Sequence, residues 1–175
     1  MSKIIWDKYL EFEKNHKEDV QKTRQFFVWI LDNYAKYIKN NKFHSVLEIG
    51  NGQSGGFKGL IDYDRYISVD PLFGDLMIKA EDMDFGVNKF DLIIISNTLS
   101  HCDNLEKVVN KIQYYLRSTG KIFLFNYYNE DNNHPHVFNN KDDILTLFPR
   151  LKVREISEDK GGKGRNPFVV IILEK

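Results

Sequence analysis

The segment Val46-Leu47-Glu48-Ile49-Gly50-Asn51-Gly52 constrains the fold more than any other part of the chain. An apolar, β-branched run that ends in glycines is a strand that must turn sharply at its end. Glycine there allows a tight turn and a close approach of backbone to a ligand. Gly50, Gly52 and Gly55 fall in the G-x-G-x-x-G pattern, and Asp70 follows Gly50 by twenty residues at the end of the next apolar run. That is the spacing at which a carboxylate meets ribose hydroxyls in a nucleotide-binding α/β sheet.

The rhythm from residue 43 onward agrees with such a sheet. Short runs at 45–49, 66–69, 76–80, 91–96 and 121–125 predict five strands, and 151–156 and 168–173 predict two more. The run 91–96 is the most apolar, as a central strand covered on both faces should be. Leu105, Val108, Val109, Ile112 and Leu116 recur at helical spacing over 105–116, and 142–148 reads as a short helix ended by Pro149. Strands alternating with helices predict a mostly parallel sheet. The last two runs are joined through Gly161, Gly162 and Gly164 with no helix between them, which predicts an antiparallel hairpin. The expected architecture is an α/β, Rossmann-like sheet of seven strands with helices on both faces. It is preceded by N-terminal helices over 1–42, where Trp6, Tyr9, Phe26, Phe27 and Trp29 predict a lid over the cleft or a layer packed on the sheet.

Length and charge set outer limits. A chain of 175 residues suggests one domain, 1–175, with the core at 43–175. Lys plus Arg and Asp plus Glu are 25 each, so the net charge is zero. That balance argues against nucleic acid and anionic membranes as partners. A single cysteine, Cys102, leaves no internal disulfide and no multi-cysteine metal site. With no span-length apolar run and no signal-like start, a cytoplasmic location is expected.

Charge also discriminates between nucleotides. Glu48 lies two residues before the first glycine. A carboxylate beside a pyrophosphate is unfavourable, whereas one beside a cation is favourable. S-adenosylmethionine (SAM) carries an ammonium and a sulfonium, so Glu48 favours SAM over NAD.

In the order and spacing of its motifs the chain resembles the class I SAM-dependent methyltransferases, over about 46–175. Glu48-Ile49-Gly50-Asn51-Gly52 matches the first motif and Ser68-Val69-Asp70 the second. Ala80-Glu81-Asp82-Met83 is similar to the adenine segment, and 89–101 is similar to the fourth motif. Three departures stand out. Ser54 replaces the third glycine of the first motif. Lys79 replaces a frequent acid. Only 71–75 separate the second run from the third, so the usual intervening helix is missing. The resemblance implies that Glu48 holds the methionine amino group and that Gly50, Asn51 and Gly52 lie along methionine and ribose. It implies further that Asp70 binds both ribose hydroxyls, Glu81 or Asp82 takes the adenine amino group with Met83 at the ring, and Asn97 lies near the methionine end. Plain structural readings exist for each: Asp70-Pro71 as a strand terminator, Glu48 as a surface acid, Asp82 as loop solvation.

His101, His134 and His136 follow the fourth and fifth predicted strands at the carboxyl edge, where ligands bind in such sheets. Histidine at neutral pH suits removal of a proton from an acceptor oxygen or nitrogen. A metal is ranked lower, for want of an i, i+4 histidine pair. The structural alternative is that His101 caps a helix and His134 fixes a loop. The expected activity is methyl transfer from SAM to an oxygen or nitrogen of a small molecule such as a sugar or metabolite. The alternatives are an NAD-dependent oxidoreductase and a noncatalytic SAM-binding partner subunit. An oligomer is compatible with all three.

Overall fold

The computed structural model describes residues 11, 20–128, 134–161 and 166–175. Except for Glu11, the helical reading of the first nineteen residues lies outside the described residues.

Helix α1 (Val20–Tyr34) buries Phe27, Ile30 and Leu31, and the short α2 (Lys36–Lys39) buries Ile38. Six strands follow among the described residues: β1 (Lys42–Ile49), β2 (Asp62–Val69), β3 (Phe90–Ser96), β4 (Leu116–Tyr127), β5 (Lys152–Asp159) and β6 (Phe168–Glu174). Helix α3 (Leu105–Tyr115) precedes β4, and α4 (Lys141–Leu145) precedes β5. The sheet order is β2-β1-β3-β4-β6-β5. β2, β1, β3 and β4 run parallel, and β6 pairs antiparallel with both β4 and β5. The parallel sheet and the antiparallel final hairpin are as the sequence predicts.

Alternation along the strands sends side chains to two layers. In β3, Leu92 and Ile94 face α1 and α2 together with Val46, Phe123 and Ile172. Ile93 and Ile95 face α3, whose Val108, Val109 and Ile112 are buried with Leu47, Leu124 and Ile171. Each such side chain contributes roughly 1.5–3 kcal/mol by leaving water. The central strands β3 and β6 are thus covered on both faces. Asn104 starts α3, its Oδ1 accepting from the Lys107 amide at 3.0 Å.

One expected strand is absent. Leu76 makes a single bridge to Val69, and the rest of 76–80 does not extend it. The cause is local. Asp70 Oδ1 accepts from the amides of Leu72 and Phe73, and Asp75 Oδ2 accepts from the amide and hydroxyl of Ser68. The chain folds back on the end of β2 before a strand can run. Among the described residues the sheet therefore has six strands rather than seven.

Candidate active site

The carboxyl ends of β1, β2, β3 and β4 open into a cavity of about 730 Å³. Its floor is Gly50, Asn51 and Gly52 after β1 and Asp70 after β2; Asn97 and Thr98 follow β3. Phe26 and Phe27 of α1 form the opposite wall, with Phe125 and Tyr127 of β4 between. Lys79, Ala80 and Glu81 close one end beside Cys102 and Asp103.

Asp70 is held by three amides. Its Oδ1 accepts from Leu72 N at 2.9 Å and Phe73 N at 3.0 Å, and its Oδ2 from Gly52 N at 3.1 Å. The carboxylate thus ties the glycine loop to the end of β2 and borders the cavity. Asn51 is 5% exposed, and its Nδ2 donates to the carbonyls of Phe73 and Gly52. Its Oδ1 is buried with no protein partner. A buried acceptor left open at a cavity wall is an invitation to a donor on a ligand. Asn97 has φ 48°, a left-handed conformation that asparagine tolerates. Its Oδ1 accepts from Tyr127 N at 3.0 Å, which holds the end of β3 to β4.

Gly50 has a requirement the sequence does not reveal. A Cβ there would lie 1.7 Å from Thr98 Oγ1. That hydroxyl lies 2.8 Å from the carbonyl of Ile49 and 2.9 Å from that of Ser96, so it locks the ends of β1 and β3 together.

Glu48 does not line the cavity. Its side chain is fully buried beneath the glycine loop, where it accepts from Phe57 N (3.1 Å to Oε1) and from the Tyr66 hydroxyl (2.5 Å to Oε2). Burial pushes its carboxyl up to about 8, against the opposing pull of the Tyr66 and Phe57 donors. It is therefore no surface acid, and it reaches a ligand in the cavity only through the loop it supports.

The adenine segment divides. Glu81 lines the cavity, and its Oε1 accepts from Asn104 N at 3.1 Å. Asp82 is exposed, and Met83 is fully buried with its carbonyl taken by the Tyr115 hydroxyl at 2.8 Å and by Lys111. Neither lines the cavity. Lys79 instead reaches it, paired with Asp103 at 2.8 Å.

Two of the three histidines meet. The His101 and His134 rings lie 4.4 Å apart, edge to face, on the cavity wall. His136 faces a separate groove between α3 and the segment at 146–151, and its Nε2 is buried with no partner. Burial holds the Cys102 thiol well above its usual range, so it is a poor nucleophile. Among the described residues no three His, Cys, Asp or Glu side chains gather as a metal site would require. Sequence reasoning missed Thr98, Lys79 and Cys102 as wall residues. It also missed Phe125, which the alternation of β4 would have placed on the α1 face.

Comparison with known proteins decides the family. A family described as "Methyltransferase domain" matches residues 47–124, the stretch from the end of β1 through the glycine loop, β2, β3 and α3 into β4. Residues 47–124 thus match a methyltransferase domain. The chain is also similar to the "Histidine protein methyltransferase 1 homolog" of Dictyostelium discoideum, 31% identical over 119 residues, 67% of this chain and 35% of that protein. The chain thus spans about a third of the length of that relative. Among solved structures the methyltransferase core resembles the N-methyltransferase NodS from Bradyrhizobium japonicum WM9 in complex with S-adenosylhomocysteine. The TM-score is 0.74 at 13% identity, covering 96% of this chain and 97% of that one. It also resembles the 1,6-didemethyltoxoflavin-N1-methyltransferase of Burkholderia thailandensis, with TM-score 0.72 at 14% identity, covering 98% and 87%. At such identities these two likenesses bear on the fold.

Proposed function

We propose that this chain transfers a methyl group from SAM to a nitrogen or oxygen of a small molecule, nitrogen first. SAM supplies a methyl group already activated on a sulfonium, so correct placement of the acceptor supplies much of the rate. The residues fit that donor. The open Asn51 Oδ1 and the glycine floor suit the methionine and ribose portion. Asp70, fixed by three amides, suits the ribose hydroxyls, and Glu81 suits the adenine amino group. Asn97 borders the methionine end. Glu48 supports the loop rather than the ligand, and Asp82 and Met83 have no part in the cavity wall.

The observation that carries the reading is the imidazole pair on the wall of a cavity of about 730 Å³ that also holds the cofactor loop. Cavities of roughly 300–1,000 Å³ suit small ligands. In this reading His101 or His134, on the cavity wall, accepts the proton that the acceptor nitrogen or oxygen loses as it takes the methyl group, while His136 lines a separate groove and takes no part. Nitrogen ranks first because both structural neighbours are named as N-methyltransferases. A second reading, a protein histidine as acceptor, is favoured by the name of the Dictyostelium relative. No helix among the described residues is long and apolar enough to cross a membrane, which is compatible with either acceptor.

Turnover with radiolabelled SAM tests both readings, using a panel of small amines, heteroaromatics and sugars beside a histidine-containing peptide. A small molecule should carry the label. With the best acceptor, His101→Ala or His134→Ala should lower kcat by about 10²–10⁴-fold while S-adenosylhomocysteine affinity holds, and His136→Ala should change neither. Label on the peptide alone would move the assignment to the second reading.

A further inference from the structure

The loop that brings Gly50, Asn51 and Gly52 to the cavity has no helix of its own. Residues 52–60 are turns, and Gly52, Gly55, Gly56 and Gly59 all have positive φ. Three bonds tie it internally, from the amides of Gly55, Lys58 and Leu60. Two other backbone carbonyls need partners from elsewhere.

They find them on α1. The Arg24 guanidinium bridges the Ser54 carbonyl (Nη1, 3.1 Å) and the Lys58 carbonyl (Nη2, 3.0 Å), four residues apart. Cβ atoms built on Gly55 and Gly59 would stand 3.8 Å from Nη1 and 3.9 Å from Nη2. The planar fork therefore lies across two residues that offer no side chain to hold it off. A lysine ammonium is a point charge and does not reproduce a two-pronged contact of this kind. One helical turn further along α1, the Phe27 ring packs on Phe57 of the loop at 4.5 Å. Phe57 is the residue whose amide Glu48 takes from beneath. The same stretch of α1 puts Lys22, Thr23, Phe26 and Phe27 on the cavity wall opposite the glycine floor.

We infer that Arg24 is a positioning residue for the cofactor loop, and that through it α1 links the acceptor wall to the cofactor floor. The helix performs from outside the sheet the bracing that a helix following the loop would otherwise give. Binding that draws α1 inward stiffens the loop, and a ligand on the loop braces α1, because the coupling is reciprocal. The inference rests on the methyltransferase reading only for its probe.

The test uses the full chain and its Arg24→Gln and Arg24→Lys variants, with Arg154→Gln as a control arginine on the distant β5. Calorimetry with S-adenosylhomocysteine gives affinity, and hydrogen exchange gives the protection of the amides at 52–60 and of the strands. Arg24→Gln should weaken S-adenosylhomocysteine about tenfold, and Arg24→Lys less. Exchange at 52–60 should rise while β1, β3 and β4 stay protected, and Arg154→Gln should leave affinity and loop protection alone. Unchanged loop protection in Arg24→Gln overturns the inference. So does exchange that rises equally in the strands, which marks a merely structural arginine. Should the unaltered chain bind no S-adenosylhomocysteine, the methyltransferase reading fails, and the exchange comparison still decides whether the clamp exists.

Discussion

At the scale of single residues, Glu48 and Asp70 show how one side chain's neighbours decide its work. Glu48 is the penultimate residue of β1 and Asp70 directly follows β2, and both bond the same glycine loop. Asp70 does so from the cavity wall and Glu48 from beneath, fully buried. Glu48 keeps its proton in the folded chain up to about pH 8, against an ordinary value of 4.5. Between those values folding takes up a proton, so the stability from this group is greatest below about 4.5 and is lost as pH rises toward 8. Every tenfold gain in proton affinity on folding corresponds to about 1.4 kcal/mol. Urea unfolding at pH 5.5 and 8.5 should show the unaltered chain losing a few kcal/mol more than Glu48→Gln; parallel losses would mean that the carboxyl is ionised throughout. For Asp70→Ala, loss of a charged acceptor is worth roughly 1.5–3 kcal/mol. Calorimetry should therefore show S-adenosylhomocysteine bound about tenfold or more weakly, with Asp70→Asn in between; wild-type affinity in Asp70→Ala would remove the ribose role.

At the scale of elements, the glycine loop separates strain from packing. Gly52 and Gly56 share φ 56°, so alanine costs each roughly 1 kcal/mol of backbone strain. A Cβ at Gly52 meets nothing within 4 Å, whereas one at Gly56 would lie 2.1 Å from Glu48 Oε1. Gly56→Ala should therefore lower stability by about 1–3 kcal/mol beyond Gly52→Ala, as read from denaturation midpoints. Gly52→Ala should chiefly weaken S-adenosylhomocysteine, because its methyl group enters the cavity. Equal stability losses would mean that Glu48 moves aside freely. Pattern made most elements legible: the short apolar runs of β1 and β3, the apolar face of α3 at helical spacing, and the helix-free run into β6. It misread 76–80, because strand pattern says nothing of the Asp70 and Asp75 side chains that fold this segment back on β2. The motif resemblance implied Glu48 and Met83 at the ligand, and both lie outside the cavity wall. A motif fixes position along a strand, but the side of the loop on which a side chain lies is set by Tyr66, Phe57 and Tyr115, which are distant in sequence.

At the scale of the molecule, the cavity is a joint between separate parts of the chain. Its walls come from α1, the glycine loop, the fold-back after β2, the turn after β3 and the end of β4. Single side chains reinforce the strand pairing and packing between these parts: Arg24 from α1 to the loop, Thr98 from β3 to β1, Asn97 from β3 to β4. None of those ties is visible in a linear pattern, which is why Asp70 and Glu81 at the cavity were legible from motif order while wall residues such as Thr98 and Phe125 were not. The same construction makes a ligand a structural partner, since filling the cavity adds contacts among the parts that border it. A ligand that binds only the folded chain stabilises it by about 2.7 kcal/mol at a hundred times its Kd. For a chain of this length, roughly 2–4 °C follows from each kcal/mol. S-adenosylhomocysteine at that excess should therefore raise Tm by about 5–11 °C in a thermal scan, while NAD at the same concentration should leave it unchanged. NAD is the informative comparison because it offers the same adenosine to Asp70 and Glu81 but brings a pyrophosphate to a floor that shows no helix N-terminus to receive it. A larger shift with NAD would transfer the glycine loop to dinucleotide chemistry and remove the ground for methyl transfer.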